Sequence, residues 1–140
     1  VCIGVDVIVG FPTEADEDFM KTYDLIDKLD ISYLHVFTYS ERINTKAIKL
    51  SPIVPIGERA IRSKKLHELS DKKRNSFYNS FIGKEKSTLI ENTKNGLLFG
   101  YTDNYIKIRV EGDLSLANTI QKVNIIEMDK GQMLGKIVKI

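Results

Sequence analysis

The chain has 140 residues, 42% of them hydrophobic, which suffices for one modest core or two small ones and excludes a disordered chain. Lys and Arg number 21 against 19 for Asp and Glu, and a net charge of +2 is too small to indicate a polyanionic partner by itself. The single cysteine, Cys2, excludes an intrachain disulfide and any metal or iron-sulfur site that needs several thiolates from this chain.

Targeting signals are absent from the sequence. It contains no signal peptide, no Asn-x-Ser/Thr sequon and no apolar run long enough to span a bilayer, which favours a cytoplasmic location without membrane contact. The first residues, Val1 to Val5, open inside an apolar strand pattern without an initiator Met. We therefore expect a fragment of a longer protein, with removal of a tag from a natural start as the alternative.

The first 38 residues are typical of one strand-helix-strand unit of a parallel α/β sheet. Residues 2–9 form a β-branched run with Asp6 as its polar exception, which predicts a parallel strand covered on both faces. A turn follows at residues 10–13, where Thr13 and Asp16 have the spacing of a helix cap. The helix is indicated by Phe19, Tyr23, Ile26 and Leu29, and a second strand is predicted over 33–37.

An irregular stretch and a long helix come next. Pro52 and Pro55 keep residues 38–57 out of regular structure, and we expect a functional loop there. Residues 58–81 return to helical spacing, and this helix is long enough to connect two bodies. Its predicted apolar stripe is Ile61, Leu66, Leu69, Phe77 and Phe81, and the cations predicted for its other faces are Arg59, Arg62, Lys64, Lys65, Lys72, Lys73 and Arg74.

After Gly83 the hydrophobic period changes to two. Five short strands are predicted, over residues 84–91, 96–101, 105–110, 121–128 and 133–140, with Asn, Gly and Asp turns between them. Five such strands favour a small barrel of the oligonucleotide-binding type. The predicted divisions are an α/β part over 1–57, a linking helix over 58–82 and a β-barrel over 83–140.

The best local argument for nucleic acid binding is the segment from Tyr105 to Val110. Alternation places its aliphatic side chains in the core and Tyr105, Lys107 and Arg109 together outside. An exposed aromatic ring beside two cations can stack on bases and bind phosphates, with Tyr101 and Asn104 near one end of the surface. An ordinary solvated strand face is an equally weighted interpretation.

The turn Gly10-Phe11-Pro12-Thr13-Glu14 lies at the carboxyl end of a predicted parallel strand, where α/β proteins bind ligands. From this location alone, a plain strand-to-helix connector remains the simpler interpretation. His35 and His67 have no neighbours in the sequence that indicate a metal site, and both are interpreted as structural. No catalytic residue and no metal ligand is predicted in this chain.

Six segments of the sequence are recognisable: residues 4–14 (GVDVIVGFPTE), 17–19 (EDF), 33–42 (YLHVFTYSER), 44–47 (NTKA), 65–74 (KLHELSDKKR) and 100–105 (GYTDNY). Together they resemble one enzyme family, the radical S-adenosylmethionine methylthiotransferases. Their order and spacing match over nearly the whole chain. The sequence of residues 33–42 most resembles that of the branch that methylthiolates N6-threonylcarbamoyladenosine beside the tRNA anticodon.

The resemblance implies a parent protein with an N-terminal cluster domain, a radical domain carrying a cysteine triplet, and an RNA-binding barrel called the TRAM domain. It implies S-adenosylmethionine and two [4Fe-4S] clusters as cofactors, and the anticodon stem-loop region of tRNA as partner. This chain corresponds to the strand-helix-strand end of a radical partial barrel, a linking helix and a five-stranded TRAM barrel. Because cluster iron is held by several thiolates, we expect the fragment alone to be catalytically inactive.

The resemblance also implies roles for individual residues. Those expected beside the cofactor are Asp6, Ile8, Gly10, Phe37 and Tyr39, although Asp6 could equally accept hydrogen bonds from loop amides. Arg42 is expected to bind a substrate phosphate or a cofactor carboxylate, with a surface ion pair as the alternative. In two places the chain departs from the family: Thr13 replaces a common Gly, and Ile43-Asn44 replaces a common Pro-Gly.

Two other functions are consistent with the sequence. One is a free-standing RNA-binding module without a catalytic parent. The other is the sister methylthiotransferase branch that acts on a ribosomal protein, in which the barrel would bind protein. Binding of tRNA that weakens with salt would separate the RNA-binding alternatives from the protein-binding one.

Overall fold

A computed structural model describes residues 1–138 and divides them into two compact units. The first unit comprises Ile3–Arg74, and the second comprises residues 1 and 2 together with the chain from residue 75 onward. Each unit has a hydrophobic cluster of its own.

The first unit is a strand-helix-strand arrangement followed by a long helix. Its elements are β1 (Gly4–Val9), α1 (Asp16–Lys28), β2 (Tyr33–Thr38), a short 3₁₀ helix (Ala47–Lys49) and α2 (Ile56–Asn79), which continues into the second unit. β1 and β2 pair in parallel, from Gly4 opposite Tyr33 to Val9 opposite Thr38. This confirms the predicted order of elements and the parallel pairing.

Only one face of the β1–β2 sheet is covered by the described residues. Val9 and Leu34 are buried in one cluster with Phe19 and Ile26 of α1 and with Leu66 of α2. Both helices therefore pack against the same side, and side chains on the opposite side stay exposed. The prediction that β1 is covered on both faces is wrong for this chain, because no described element lies over its second face.

The connection from β1 to α1 differs from the predicted cap. Helix α1 begins at Asp16 with Ala15 as N-cap residue, and the Asp18 carboxylate accepts a hydrogen bond of 3.2 Å from the Ala15 N–H. Thr13 does not cap the helix and instead has φ +76°, in the left-handed region. Asn44 has φ +68°, so both departures from the family's common glycines occur where the backbone conformation favours glycine.

The buried face of α2 also differs from the predicted stripe. Leu66 and Leu69 are buried as expected, but Ile61 is 51% exposed, while Arg59 and Arg62 are buried at 5% and 3%. Arg59, Arg62, Leu66 and Leu69 follow helical spacing and share one face, so the placement of the two arginines on outer faces was wrong. No helix in the described residues is long and apolar enough to cross a membrane.

The second unit is a closed five-stranded barrel. Its strands are β3 (Glu85–Lys94), β4 (Leu97–Thr102), β5 (Lys107–Glu111), β6 (Ile120–Asp129) and β7 (Gln132–Ile137), arranged in the order β3-β4-β5-β7-β6. β3 pairs with both β4 and β6, which closes the barrel, and only β5 and β7 are parallel. Closure leaves no strand edge unpaired.

The five predicted strands are thus confirmed, with shifted ends. The segment predicted to begin at Tyr105 forms β5 only from Lys107, and Tyr105 belongs to the preceding turn. The last predicted strand ends at Ile137, and its final residues, 139 and 140, lie outside the described part of the chain. Tyr78, near the end of α2, joins the barrel core, which otherwise consists of Ile90, Leu98, Ile106, Ile108, Val110, Val123, Ile125 and Met133.

Replacement of Thr13 by Gly should stabilise the first unit. A β-branched residue in the left-handed region costs about 1–2 kcal/mol, and glycine recovers this at an entropic cost of about 0.5–1 kcal/mol. Thr13 is exposed, and its backbone hydrogen bond with Pro52 is kept by the variant. Urea denaturation should show Thr13→Gly more stable than wild type by up to about 1 kcal/mol.

The matched control is Thr38→Gly, the same substitution at the end of β2, where Thr38 has no positive φ. It should destabilise the unit by about 0.5–1 kcal/mol. A destabilised Thr13→Gly variant would show that the conformation of this turn depends on the threonine side chain.

Candidate functional site

The uncovered side of the β1–β2 sheet is the first candidate surface, and we call it the open face. It consists of Asp6 and Ile8 on β1 and of His35 and Phe37 on β2, with Asp6 opposite His35 and Ile8 opposite Phe37. Ile8 is 58% exposed and Phe37 is 52% exposed. The sheet therefore presents two large apolar side chains next to a carboxylate and an imidazole.

Three of the five residues expected at the cofactor lie on this face: Asp6, Ile8 and Phe37. Asp6 accepts no hydrogen bond from the other described residues, and both roles suggested for it stay predictions. Gly10 and Tyr39 lie at the carboxyl ends of the two strands and contact Arg59 instead.

Arg59 ties together the segments that follow β1 and β2. Its guanidinium donates hydrogen bonds to the Val54 carbonyl (2.8 Å), the Tyr39 carbonyl (3.0 Å) and the Glu41 carboxylate (2.7 Å). The guanidinium also lies over the Tyr39 ring, 5.4 Å from its centroid. Gly10 packs so closely on the Arg59 side chain that a Cβ at this position would collide with it.

Arg62 performs the corresponding function for the turn after β1. It pairs with the carboxylates of Glu14 and Asp16. Its Nε lies 3.5 Å from the carboxylate of Glu58. Glu14 accepts a further hydrogen bond of 3.1 Å from the Gly10 N–H. The buried arginine therefore holds Glu14 in the position where it closes the turn of residues 10–14.

The ionisation of these groups follows from their contacts. The hydrogen bond from Arg59 lowers the pKa of Glu41 and raises the pKa of Arg59 in return. Burial disfavours the charged form of Arg62, but hydrogen bonds with Glu14 and Asp16 outweigh it and raise the pKa of Arg62. Both arginines are therefore permanent cations in a partly buried network.

Arg42 differs from these two arginines. It is exposed on the loop after β2, and among the described residues its side chain has no ion-pair partner. Its neighbour Glu41 pairs with Arg59, so the ion pair considered as the alternative role of Arg42 is not formed. The cation remains available to an anion.

The barrel carries the other five residues expected to contact RNA. Ile106, Ile108 and Val110 are buried, which confirms the predicted alternation and leaves Lys107 exposed. Lys107 lies opposite Tyr101 on β4, and Arg109 lies opposite Phe99. Arg109 is 3.7 Å from the Asp129 carboxylate, whereas Lys107 has no ion pair among residues 1–138.

Asn104 and Tyr105 form the turn between β4 and β5. The Thr102 hydroxyl donates to Asn104 Oδ1 (2.7 Å) and accepts from the Ile106 N–H (2.9 Å), which locks the turn. Tyr105 has φ +62° and is 73% exposed. Asn104 is half-buried; its Oδ1 belongs to the hydrogen bonds of the turn, and its Nδ2 is without a partner in the described chain.

The sequence analysis missed the apolar residues next to Tyr101. Leu89 on β3 lies opposite Tyr101 on one side and opposite Ile120 of β6 on the other. Leu89 is 44% exposed and Ile120 is 69% exposed. The alternation within residues 84–91, which buries Thr88 and Ile90, was the signal that placed Leu89 outside.

The arrangement of possible metal-donor side chains in the described part of the chain bears on whether it could hold a metal ion. No group of three or more His, Cys, Asp or Glu side chains within residues 1–138 is arranged to hold a metal ion. Cys2 is the single thiol and is partly exposed. A cluster that needs several cysteine thiolates therefore does not fit the residues present, whereas the apolar side chains of the open face fit a flat, partly apolar group.

Comparison with known proteins shows which enzymes this chain is similar to. No protein-family model matches the chain, but curated relatives do, and they are enzymes that add methylthio groups to tRNA. The chain matches the C-terminal part of these relatives and spans about 26–32% of their length. It is homologous to a segment of the methylthiotransferase family, which confirms the resemblance found in the sequence.

Among these relatives, the threonylcarbamoyladenosine tRNA methylthiotransferase MtaB of Aquifex aeolicus is 49% identical over 110 residues, covering 79% of this chain and 26% of the relative. MtaB of Rickettsia prowazekii is 36% identical over 133 residues, covering 95% and 30%. The tRNA-2-methylthio-N(6)-dimethylallyladenosine synthase of Aquifex aeolicus is 30% identical over 140 residues, covering 100% and 32%.

Loss of the Arg62 cation should destabilise the first unit strongly. In Arg62→Gln, the Glu14 carboxylate loses its buried partner, and breaking such a pair costs roughly 2–4 kcal/mol when some partners remain hydrated. The Asp16 side chain is 83% exposed, which keeps the expected cost below that of a fully buried pair. Urea denaturation monitored by circular dichroism measures the effect.

Lys64→Gln is the control, because the Lys64 side chain is 79% exposed and its ion pair with Glu68 on the same helix is long, at 3.9 Å. Its expected effect is within about 0.5 kcal/mol. Equal stabilities of the two variants would show that the Arg62 network does not hold the turn.

Proposed function

We propose that this chain is part of an enzyme that adds a methylthio group to N6-threonylcarbamoyladenosine beside the anticodon of tRNA. The observation that carries the proposal is the 49% identity over 110 residues with an MtaB enzyme named for this substrate. Identity at this level extends over most of the chain, so the likeness is not confined to one short motif.

In this proposal the first unit forms part of the radical S-adenosylmethionine domain. Ile8 and Phe37 on the open face supply an apolar wall for the adenosyl group, and Asp6 supplies a hydrogen-bond acceptor beside it. Gly10 and Tyr39 border this wall at the carboxyl ends of the strands. The turn of residues 10–14 is held by Arg62, which keeps the edge of the wall ordered without ligand.

The cofactors of the whole enzyme divide between this chain and the rest of the protein. Bound S-adenosylmethionine supplies the radical and the methyl group for the chemistry, and the two [4Fe-4S] clusters require cysteines that this chain lacks. The chain by itself binds one side of the cofactor and is inactive. Its place of action is the cytoplasm, where tRNA is available.

The barrel supplies tRNA affinity as a TRAM domain. Its strand order, with one parallel pair between β5 and β7, supports an oligonucleotide-binding type of barrel. Tyr101, Tyr105, Lys107 and Arg109 bind the anticodon stem-loop region, and Asn104 holds the turn that presents Tyr105. Arg42 provides a separate phosphate contact from the first unit. The proposed divisions remain residues 1–57, a linking segment over 58–82 that contains most of α2, and the TRAM domain from 83.

A second candidate is methylthiolation of N6-dimethylallyladenosine. A synthase named for that product is 30% identical over the full 140 residues of this chain. The sequence alternatives, a free-standing RNA-binding module and an enzyme acting on a ribosomal protein, are not favoured by these relatives, whose names all specify tRNA.

Nucleoside mass spectrometry tests the substrate. The intact protein that contains this chain is expressed in a bacterial strain lacking its own methylthiotransferases but retaining both adenosine precursors, and bulk tRNA is digested. We expect the 2-methylthio form of N6-threonylcarbamoyladenosine to appear. Appearance of only the dimethylallyl product would favour the second candidate, and unmodified tRNA, with soluble cluster-loaded protein, would overturn both.

Binding of tRNA to this chain tests the role of the barrel. The double variant Lys107→Ala/Arg109→Ala should bind tRNA about tenfold more weakly at low salt, because two phosphate contacts are lost. For the same reason, the slope of the logarithm of the binding constant against the logarithm of the salt concentration should be less steep by about 1–2. Filter binding over a series of salt concentrations measures both quantities.

The control carries the same change of charge at two exposed lysines of the first unit, Lys21→Ala/Lys64→Ala. Its affinity and salt slope should stay close to those of wild type. If both double variants weaken binding equally, the cationic strand β5 is not a specific contact surface.

A further inference from the structure

The barrel surface around Tyr101 carries apolar and acidic side chains, which binding to the phosphate backbone of an RNA duplex does not require. Leu89, Tyr101, Tyr105 and Ile120 line an open groove of about 670 Å³, which we call the Tyr101 groove, and the acidic residues Glu91 and Asp103 line it as well. Two carboxylates repel phosphate groups, and three of the apolar residues lie opposite one another across β4, β3 and β6. The centre of the groove thus favours a flat, uncharged group.

The cations lie to one side of this groove. Lys107 is the register partner of Tyr101 on the neighbouring strand, and Arg109 follows it on the same face of β5. A ligand that fits both features has a flat apolar group next to an anionic backbone. Single-stranded nucleic acid with its bases turned toward the protein has this arrangement, whereas paired bases are not accessible for stacking on side chains.

Tyr105 is held in place before any ligand binds. A non-glycine residue with positive φ is uncommon, and for an aromatic residue it indicates a constraint imposed by the surroundings. The constraint comes from the Tyr105 N–H, which donates to the Thr102 carbonyl (2.9 Å), and from the Thr102 hydroxyl, which accepts from the Ile106 N–H. The backbone that carries this exposed ring therefore has little conformational freedom left to lose on binding.

The border of the groove adds a preference among bases. Asp103 is paired with Lys86 at 3.3 Å, while Glu91 is exposed and has no ion pair within the described part of the chain. A free carboxylate accepts hydrogen bonds from the exocyclic amino groups of cytosine, adenine or guanine, and uracil carries no such group.

We propose that the Tyr101 groove binds one unpaired, amino-bearing base of RNA against its tyrosine rings, while the adjoining phosphates contact Lys107 and Arg109. This inference rests on the proposed function of the barrel in RNA binding and adds to it the class of nucleotide that the barrel selects. Leu89 and Ile120 contribute the apolar floor, and Glu91 discriminates between bases.

The test uses this chain with three probes of equal length: oligocytidine, oligouridine and an RNA duplex. Wild type should bind oligocytidine more tightly than oligouridine, and both more tightly than the duplex. Tyr105→Ala should weaken oligocytidine binding about 5-fold to 100-fold, since stacking is worth about 1–3 kcal/mol per base, and Tyr105→Phe should retain it. Glu91→Ala should remove the preference for cytidine over uridine.

Ile126→Ala is the matched control, because Ile126 is 47% exposed on the same barrel but does not line the groove. Circular dichroism of each variant checks that the barrel is folded. Unchanged oligocytidine and tRNA affinity in Tyr105→Ala would overturn the groove as a base site while the salt-dependent tRNA binding of wild type still supported the proposed function.

Two further outcomes are distinguishable. Wild-type chain that binds neither tRNA nor any of the probes would overturn both the RNA-binding role of the barrel and the groove. If Tyr105→Ala changes sedimentation velocity at micromolar concentration and leaves RNA affinity intact, the groove is a protein-binding surface, which also overturns the proposal.

Discussion

Two buried guanidinium groups on α2 hold the ends of the parallel strands in the first unit. Arg59 reaches the backbone after β2 and the loop before α2, and Arg62 reaches the turn after β1 through Glu14. Burying an arginine is costly unless its charge is paired, so loss of these carboxylates and carbonyls would leave the two guanidinium groups poorly compensated. The shape of the carboxyl-terminal edge of the β1–β2 sheet therefore depends on a helix that is distant in sequence.

The same arrangement leaves one side of the sheet free. Because both helices pack on the side of Val9 and Leu34, the polar and apolar residues of the open face have no described neighbour above them. Exposure of the apolar side chains of Ile8 and Phe37 to water is unfavourable, and binding of a ligand or partner to the open face removes it. Its combination with an ordered turn at the strand ends is consistent with one wall of a cofactor pocket.

The barrel of the second unit combines a closed sheet with a small core of its own. Closure through β3 satisfies every strand edge, and the small apolar core is completed by Tyr78, whose hydroxyl accepts a hydrogen bond from the Lys107 N–H at 3.3 Å. The outer surface is then free to vary without loss of the core. Cations on β5 and apolar side chains on the neighbouring strands lie on this outer surface, and the proposed RNA contacts rest on them.

The periodicity of the sequence by itself determined the order of the elements, the five barrel strands and the outward direction of Lys107 and Arg109, because these depend on local patterns. The strand-helix-strand order determined the parallel pairing, because a helix between two strands returns the chain to the same end of the sheet. The motifs of the sequence determined the family. Only the tertiary structure decided that Arg59 and Arg62 are buried, since their partners are brought to them by the fold, and that Tyr105 belongs to a strained turn. It also brought Leu89, Tyr101 and Ile120 together, because Ile120 belongs to a strand that is distant from β3 in sequence and pairs with it only when the barrel closes.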